Sequence, residues 1–263
     1  MTGTTGLSVR VWSFGRNQRQ LEEILRLREG ALRPSRRRHP SGGSVKAPRR
    51  LTEVSSPAVP QKTGKVLRIG LFGGTFDPPH VGHLVTAVNV MHALDLDQVI
   101  LMVANVPWQK QGSRRITPAE DRLVMVEAAV RGVPGLVAGR TEIDRGGASY
   151  TADTLGALAE DHPGAEFFTI VGDDAAAGLP TWERFRDVLD RSRIVVVDRP
   201  GTPVMLPEGI DWVRVEVPRL EVSSTDLRSR FVDGRPLDYL ITLPVLEVIR
   251  ERTLYGSLAG SPS

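Results

Sequence analysis

The sequence predicts an α/β fold: a doubly wound parallel sheet covered by helices on both faces, with further helices at the C-terminus. From residue 66 onward, short runs of Val, Ile, Leu and Phe alternate with segments that carry apolar residues at helical spacing. The runs are almost wholly apolar, which is typical of parallel strands that are buried on both faces. A glycine-rich stretch, residues 73–84, directly follows the first run and leads into a helical pattern, as expected for a strand–turn–helix unit.

Each element has its own signal in the sequence. Apolar runs predict strands at residues 66–72, 98–103, 136–143, 167–171 and 194–197, and an alternating segment predicts an edge strand at 213–217. Helical spacing predicts helices from residue 81, over 117–130, 151–160 and 182–189, and from near 223 and 243. Right-handed crossovers place the loops after the strands along one edge of the sheet, and ligands are expected at that edge.

The composition limits the classes of function. With 263 residues, 40% hydrophobic and 25% charged, the chain resembles an ordinary soluble globular protein. No apolar run reaches the ~18 residues that a membrane-spanning helix needs, and Arg10 and Arg16 interrupt any signal-peptide pattern. The absence of cysteine excludes disulfides, thiolate nucleophiles and Cys-ligated metals, and it fits a reducing, cytoplasmic location.

The charge is distributed unevenly along the chain. Residues 1–64 hold 13 Lys/Arg and 4 Asp/Glu, a net charge of +9, whereas the remainder holds 21 and 27, a net charge of −6. We predict a disordered basic extension at 1–62, a folded domain at 63–256 and a flexible tail at 257–263. An upstream start codon assigned in error would give the same composition. The acidic core does not support nucleic-acid binding, but binding of nucleic acid or a partner by residues 1–50 stays open, as does homo-oligomer formation.

Residues 73–84, Gly-Gly-Thr-Phe-Asp-Pro-Pro-His-Val-Gly-His-Leu, predict a phosphate site. Gly73 and Gly74 lack a Cβ and let a phosphate approach the backbone, while the helix that follows offers unpaired N–H groups. The Thr75 hydroxyl adds a donor. His80 and His83 are three residues apart, so both can face one phosphate and stabilise its charge. The stretch matches neither a Walker A loop nor a dinucleotide fingerprint, and a zinc site would need a third ligand that the sequence does not offer.

A second anion site is predicted near the C-terminus. Ser223, Ser224 and Thr225 supply hydroxyl and N–H groups at a helix start, and Arg228 follows one turn later. An ordinary N-cap is the alternative, but the combination with the first motif favours phosphate binding.

These segments together resemble the HxGH nucleotidyltransferases and, among them, the bacterial nicotinate-nucleotide adenylyltransferases. The resemblance covers residues 66–255. Besides the glycine-rich motif it rests on four segments, at residues 105–110, 144–155, 172–182 and 222–228. It implies a Rossmann-like nucleotidyltransferase fold and an enzyme of NAD biosynthesis that transfers AMP from ATP to nicotinate mononucleotide, giving deamido-NAD and pyrophosphate.

The resemblance also implies residue roles. The catalytic residues would be His80, His83 and Arg228. The ATP site would be formed by Gly73, Gly74, Thr75, Phe76, His80, His83, Gly172, Asp174, Ser223, Ser224, Thr225 and Arg228. Lys110, Tyr150, Thr151 and Trp182 would bind the mononucleotide. Mg²⁺ would accompany ATP and be held mainly by phosphates, with no metal site in the protein itself.

Several alternatives remain at the level of sequence. The acceptor could be nicotinamide mononucleotide or phosphopantetheine, and a nucleotide-binding regulator without catalysis is a separate class, against which the intact His80 and His83 argue. On residue types alone, Trp182 is as consistent with core packing as with stacking on a flat cationic ring. Tyr150 and Thr151 carry donors suited to a carboxylate, although Thr151 also suits a helix N-cap.

Overall fold

The computed structural model describes residues 65–107, 116–198, 205–218 and 220–256. The described chain contains a six-stranded sheet in the order β3-β2-β1-β4-β5-β6, and every neighbouring pair is parallel. The strands are β1 (Arg68–Gly74), β2 (Gln98–Val103), β3 (Leu136–Gly139), β4 (Glu166–Val171), β5 (Ser192–Asp198) and β6 (Trp212–Glu216). The predicted doubly wound parallel sheet is therefore confirmed.

Helices connect the strands and close the chain. They are α1 (Val81–Ala93), α2 (Ala119–Val130), α3 (Thr141–Arg145), α4 (Thr151–Asp161), α5 (Asp173–Ala177), α6 (Phe185–Arg191), α7 (Ser224–Asp233) and α8 (Leu243–Glu251). Two short 3-10 turns, Leu179–Thr181 and Leu254–Gly256, precede α6 and follow α8. No helix within the described ranges is long and apolar enough to cross a bilayer.

Alternate residues of the strands pack into two separate hydrophobic cores, one on each face of the sheet. Val99 and Leu101 of β2 pack in one cluster with α1 and α2, whereas Ile100 and Met102 pack on the opposite face with α4 and α6. Because both faces of the sheet are covered, the strands carry apolar residues at nearly every position. A third cluster joins α2 to α7 and α8 through Met125, Leu227 and Ile249.

Most predicted bounds differ from the observed ones by one or two residues, as for the first strand and the helix predicted over 117–130, but two elements were wrong by three residues or more. The third strand ends at Gly139 rather than near 143, because Gly139 pairs with Met102 and β2 itself ends one residue later. Residues beyond Gly139 have no strand to pair with, and they form α3 instead. The helix predicted over 182–189 begins only at Phe185, since Arg184 adopts a left-handed conformation with φ of 50°.

The topology places a crevice between two strands. The chain runs outward from β1 through β2 to β3 and then returns to β4 on the other side of β1, so the winding reverses between β1 and β4. In open parallel sheets the loops after such strands diverge and leave a crevice where ligands bind. The 73–84 motif begins with the last two residues of β1, and Gly172 follows β4, so both predicted segments lie at this crevice.

Candidate functional site

The crevice contains a cleft with two lobes that meet at the end of β1. The small lobe has a volume of about 230 Å³, and the large lobe has about 790 Å³. Residues shared by both lobes are Phe72, Gly73, Gly74, Thr75, Gly172 and Ala175. Two ligands bound side by side would therefore meet over the glycines of the 73–84 motif.

The large lobe brings together all of the predicted ATP-site residues. Its lining includes His80 and His83 from the start of α1, Asp174 from α5, and the segment that opens α7. The predicted residues found here are Gly73, Gly74, Thr75, Phe76, His80, His83, Gly172, Asp174, Ser223, Ser224, Thr225 and Arg228. Residues that are 150 positions apart in sequence thus share one cavity.

The two histidines form a stacked pair. Their ring centroids lie 3.7 Å apart with an interplanar angle of 28°. The backbone N–H of His80 donates to Nδ1 of His83 over 3.1 Å. Since Nδ1 accepts, the proton of a neutral His83 ring resides on Nε2, which is then a hydrogen-bond donor. The Phe76 ring meets His83 edge-on at 4.9 Å and restricts its orientation.

Burial keeps His80 neutral. Only 7% of His80 is exposed, and desolvation lowers the pKa of His80 from 6.5 to about 4. The ring therefore brings no positive charge to the site at neutral pH.

The lowered pKa of His80 predicts acid-sensitive stability. Between pH 6.5 and about 4 the unfolded chain takes up a proton that folded His80 does not, so the free energy of unfolding falls as the pH falls, by about 3 kcal/mol in all. Urea unfolding across this range should show a weaker pH dependence for His80→Gln than for the wild type. His92→Gln is the control, because His92 is exposed on the same helix. Equal pH dependence in the wild type and His80→Gln would contradict the prediction.

Arg228 joins α7 to the 73–84 motif. Its Nη1 donates to the Asp77 carbonyl at 2.7 Å, and its Nη2 donates to Thr225 Oγ1 at 3.1 Å. The Ser224 hydroxyl donates to the Pro78 carbonyl at 2.8 Å, so this hydroxyl fixes the loop. Ser223 is the N-cap of α7, and its Oγ accepts the Asp226 N–H. The guanidinium thus carries a permanent positive charge into the large lobe on a fixed scaffold.

The helix N-terminus offers fewer donors than the sequence indicates. The N–H of Val81, the first residue of α1, already donates to the Leu240 carbonyl at 3.1 Å. The expectation of unpaired N–H groups at this helix start is therefore wrong for Val81. The pairing arises because the chain before α8 folds back over the motif, which sequence spacing does not reveal.

The three glycines of the motif are needed for two different reasons. A Cβ on Gly74 would lie 2.7 Å from the Phe76 ring, and a Cβ on Gly82 would lie 3.0 Å from both His80 Nδ1 and Val222. Gly73 has open space where its Cβ would be, and this space is the junction of the two lobes. Gly74 and Gly82 are thus required by packing, whereas Gly73 leaves room for a ligand.

The small lobe holds the predicted mononucleotide residues that the structure describes. Tyr150, Thr151 and Trp182 line it, together with Glu142 and Ser149. The indole Nε1 of Trp182 is buried, and no group in the described part of the chain accepts from it. Lys110, the fourth predicted residue, lies outside the described residues, in the gap at 108–115.

Comparisons with known proteins identify the family of this chain. The family model described as Cytidylyltransferase-like matches residues 71–230, which spans both lobes of the cleft. A relative from Corynebacterium kroppenstedtii, named "Probable nicotinate-nucleotide adenylyltransferase", is 42% identical over 192 residues, covering 72% of this chain and 90% of its own. A relative of the same name from Leifsonia xyli is 41% identical over 212 residues, covering 80% and 99%.

The chain belongs to the nicotinate-nucleotide adenylyltransferase family. It is a nucleotidyltransferase, and the predicted family and enzyme class are confirmed. Among solved structures, the nicotinic acid mononucleotide adenylyltransferase of Plasmodium falciparum complexed with NaAD has the same fold, with a TM-score of 0.58. That protein is 15% identical, and the similarity covers 74% of this chain and all of that one.

Sequence reasoning missed two buried charged residues beside the adenylyltransferase cleft. Arg122 of α2 is 1% exposed, and it donates to the carbonyls of Thr117, Thr75 and Asn105 at 2.8, 2.9 and 3.0 Å. The sequence did contain a signal for its burial: Arg122 has the helical spacing that puts it on the same apolar face as Met125 and Val126.

Glu142 is the second missed residue. It is 6% exposed, accepts from the Thr154 hydroxyl at 2.7 Å, and lines the small lobe. Desolvation raises the pKa of Glu142, while hydrogen bonds from Ser149 and Thr154 oppose the rise. Through Ser149 and Thr154 the carboxyl holds the start of α4 in place. Tyr150 and Thr151, which line the cleft, lie between these two residues. Because the sequence pattern predicted a strand through residue 143, it gave no signal for this role.

Proposed function

We propose that the chain transfers AMP from ATP to nicotinate mononucleotide, giving deamido-NAD and pyrophosphate. One observation carries the proposal: two lobes of different size meet over Gly73, Gly74 and Thr75. The large lobe, with its histidine pair and Arg228, suits a triphosphate. The small lobe, with Tyr150 and Trp182, suits the acceptor. With the two substrates bound in this way, the acceptor phosphate would lie beside the α-phosphate of ATP.

The reaction is an in-line displacement at the α-phosphorus. A phosphate oxygen of the mononucleotide forms the new P–O bond, and the bond to the β-phosphate oxygen breaks, so pyrophosphate leaves into the large lobe. The nucleophile is already an anion, and no strong general base is needed. The protein contributes positioning and neutralisation of charge. His83 would donate from Nε2 to the reacting phosphate, and Arg228 would hold the β- and γ-phosphates near Ser223 and Thr225.

Mg²⁺ would enter with ATP as part of the substrate. Among residues 65–107, 116–198, 205–218 and 220–256 no group of three His, Cys, Asp or Glu side chains is arranged to hold a metal ion. The ion would be coordinated mainly by phosphate oxygens and water.

Three groups of the small lobe would bind the acceptor. Indole faces attract cations, so Trp182 would stack on the positively charged pyridine ring. Tyr150 and Thr151 would donate to the carboxylate that separates nicotinate from nicotinamide. Lys110, which follows β2 in sequence and lies outside the described residues, would bind the mononucleotide phosphate.

The test is an acceptor comparison. Purified protein with MgATP should release pyrophosphate with nicotinate mononucleotide at a kcat/KM at least about tenfold above that with nicotinamide mononucleotide, because a site built for a polar group leaves its donors unpaired with the wrong ligand. The measurement is continuous detection of pyrophosphate with each acceptor at equal concentration.

The controls separate the remaining alternatives. Phosphopantetheine should give no pyrophosphate above the rate with ATP alone. Equal or faster turnover of the amide would contradict the assignment of the acid as substrate. Binding of ATP without pyrophosphate release for any acceptor would indicate a nucleotide-binding regulator instead.

A further inference from the structure

The loop that carries the motif is buried and is held from outside. Thr75, Phe76, Asp77 and His80 are at most 9% exposed. Three of the contacts on this loop come from Arg122, Ser224 and Arg228, described above. A fourth comes from a residue that lines neither lobe, Tyr255.

Tyr255 reaches the loop from the C-terminal end of the described chain. It lies in the 3-10 turn Leu254–Gly256, and its hydroxyl donates to Asp77 Oδ1 at 2.6 Å. The side chain of Asp77 lines the large lobe and is 1% exposed, so its carboxyl group depends on hydrogen bonds for its stability. Burial and the nearby Asp77 raise the pKa of Tyr255 above its usual value of 10, and the hydroxyl therefore remains a donor throughout the neutral pH range.

Tyr255 is also packed against the helix that carries Arg228. Its ring stacks on Phe231 of α7 with centroids 5.3 Å apart and an interplanar angle of 26°. Arg228 lies on the same helix and donates to the Asp77 backbone carbonyl. Asp77 is thus held through its side chain by Tyr255 and through its backbone by Arg228. A shift of Asp77 would move both the loop and the arginine that faces the large lobe.

We propose that Tyr255 is a positioning residue for the triphosphate: by holding Asp77, it fixes the loop and Arg228 in the arrangement that binds the β- and γ-phosphates. The inference rests on the proposed function in one respect, that the ligand of the large lobe is ATP. It predicts a larger effect on ATP than on the acceptor, because Tyr255 is not among the residues that line the small lobe.

The decisive variant is Tyr255→Phe, which removes one hydroxyl and keeps the ring that stacks on Phe231. We expect KM for MgATP, and the Kd of a non-hydrolysable ATP analogue measured by titration calorimetry, to rise about tenfold, as loss of one charge-assisted hydrogen bond implies. KM for nicotinate mononucleotide should change by less than about twofold. Tyr239→Phe is the matched control, because Tyr239 is 93% exposed, and it should behave as the wild type.

A second variant tests whether Tyr255 acts through Asp77. In an Asp77→Ala background, the added Tyr255→Phe change should raise the Kd of the analogue by less than about twofold, because the contact has already been lost. Independent effects of the two changes would contradict the mechanism.

Two results would overturn the inference. One is an unchanged KM and Kd for the nucleotide in Tyr255→Phe, even with a lower Tm, and the other is an equal rise in KM for both substrates. These results differ from those expected if the proposed function were wrong. In that case the wild type itself would bind the ATP analogue but release no pyrophosphate with nicotinate mononucleotide. In that case the Kd comparison still tests Tyr255.

Discussion

Replacement of His83 by asparagine is expected to lower kcat by about 10²- to 10³-fold, the usual cost of removing one donor that stabilises charge in the transition state. The amide oxygen of asparagine can take the place of Nδ1 and accept the His80 N–H, so the turn into α1 should remain folded. What asparagine lacks is a donor at the position of Nε2. The loss should therefore appear in kcat, with the Tm close to that of the wild type.

A matched substitution separates the two ring nitrogens. His83→Gln places its amide nearer the position of Nε2, so it should retain more of kcat than His83→Asn while losing stability, because the His80 N–H loses its acceptor. Single-turnover pyrophosphate release and thermal unfolding of both variants would measure this. His92→Gln, on the exposed part of the same helix, should leave both quantities unchanged. A kcat near that of the wild type in His83→Asn would exclude His83 as the donor.

Replacement of Arg122 by methionine is expected to destabilise the protein by about 3–5 kcal/mol. Methionine keeps the length and the apolar stem, but it removes the N–H groups that satisfy the carbonyls of Thr75, Asn105 and Thr117. Because Arg122 is 1% exposed, water cannot replace those donors without opening the core. Urea unfolding at neutral pH measures the loss.

Two further variants define the cause of the Arg122 effect. Arg122→Lys should recover only part of the free energy of unfolding that Arg122→Met loses. A single ammonium group cannot donate to three carbonyls in different directions as the planar guanidinium does. Arg131→Met removes an exposed arginine at the end of the same helix and should change the free energy of unfolding by less than about 0.5 kcal/mol. A loss in Arg122→Met no larger than in Arg131→Met would mean that the three hydrogen bonds contribute little.

Much of the fold followed from local pattern. Continuous runs of apolar residues identified the buried parallel strands, and apolar residues repeating every 3.6 positions identified the long helices. The two main errors came from effects that a single segment does not contain. β3 stops at Gly139 because its partner stops, and α6 starts late because Arg184 turns into a left-handed conformation. The end of β3 depends on a partner strand that lies elsewhere in the chain.

The sequence by itself predicted a phosphate site at the glycine-rich turn with His80 and His83 and a second anion site at residues 223–228. The resemblance of these segments to a known family, rather than their spacing, indicated a nucleotidyltransferase. Short-range spacing was sufficient for these two predictions, because each rests on residues at or next to a predicted helix start. Only the tertiary structure decided which groups hold the site in place. Arg122, Glu142 and Tyr255 act across 47, 12 and 178 residues of chain. A buried hydrogen bond depends on where two distant segments meet, and that meeting is set by the packing of the sheet and helices as a whole.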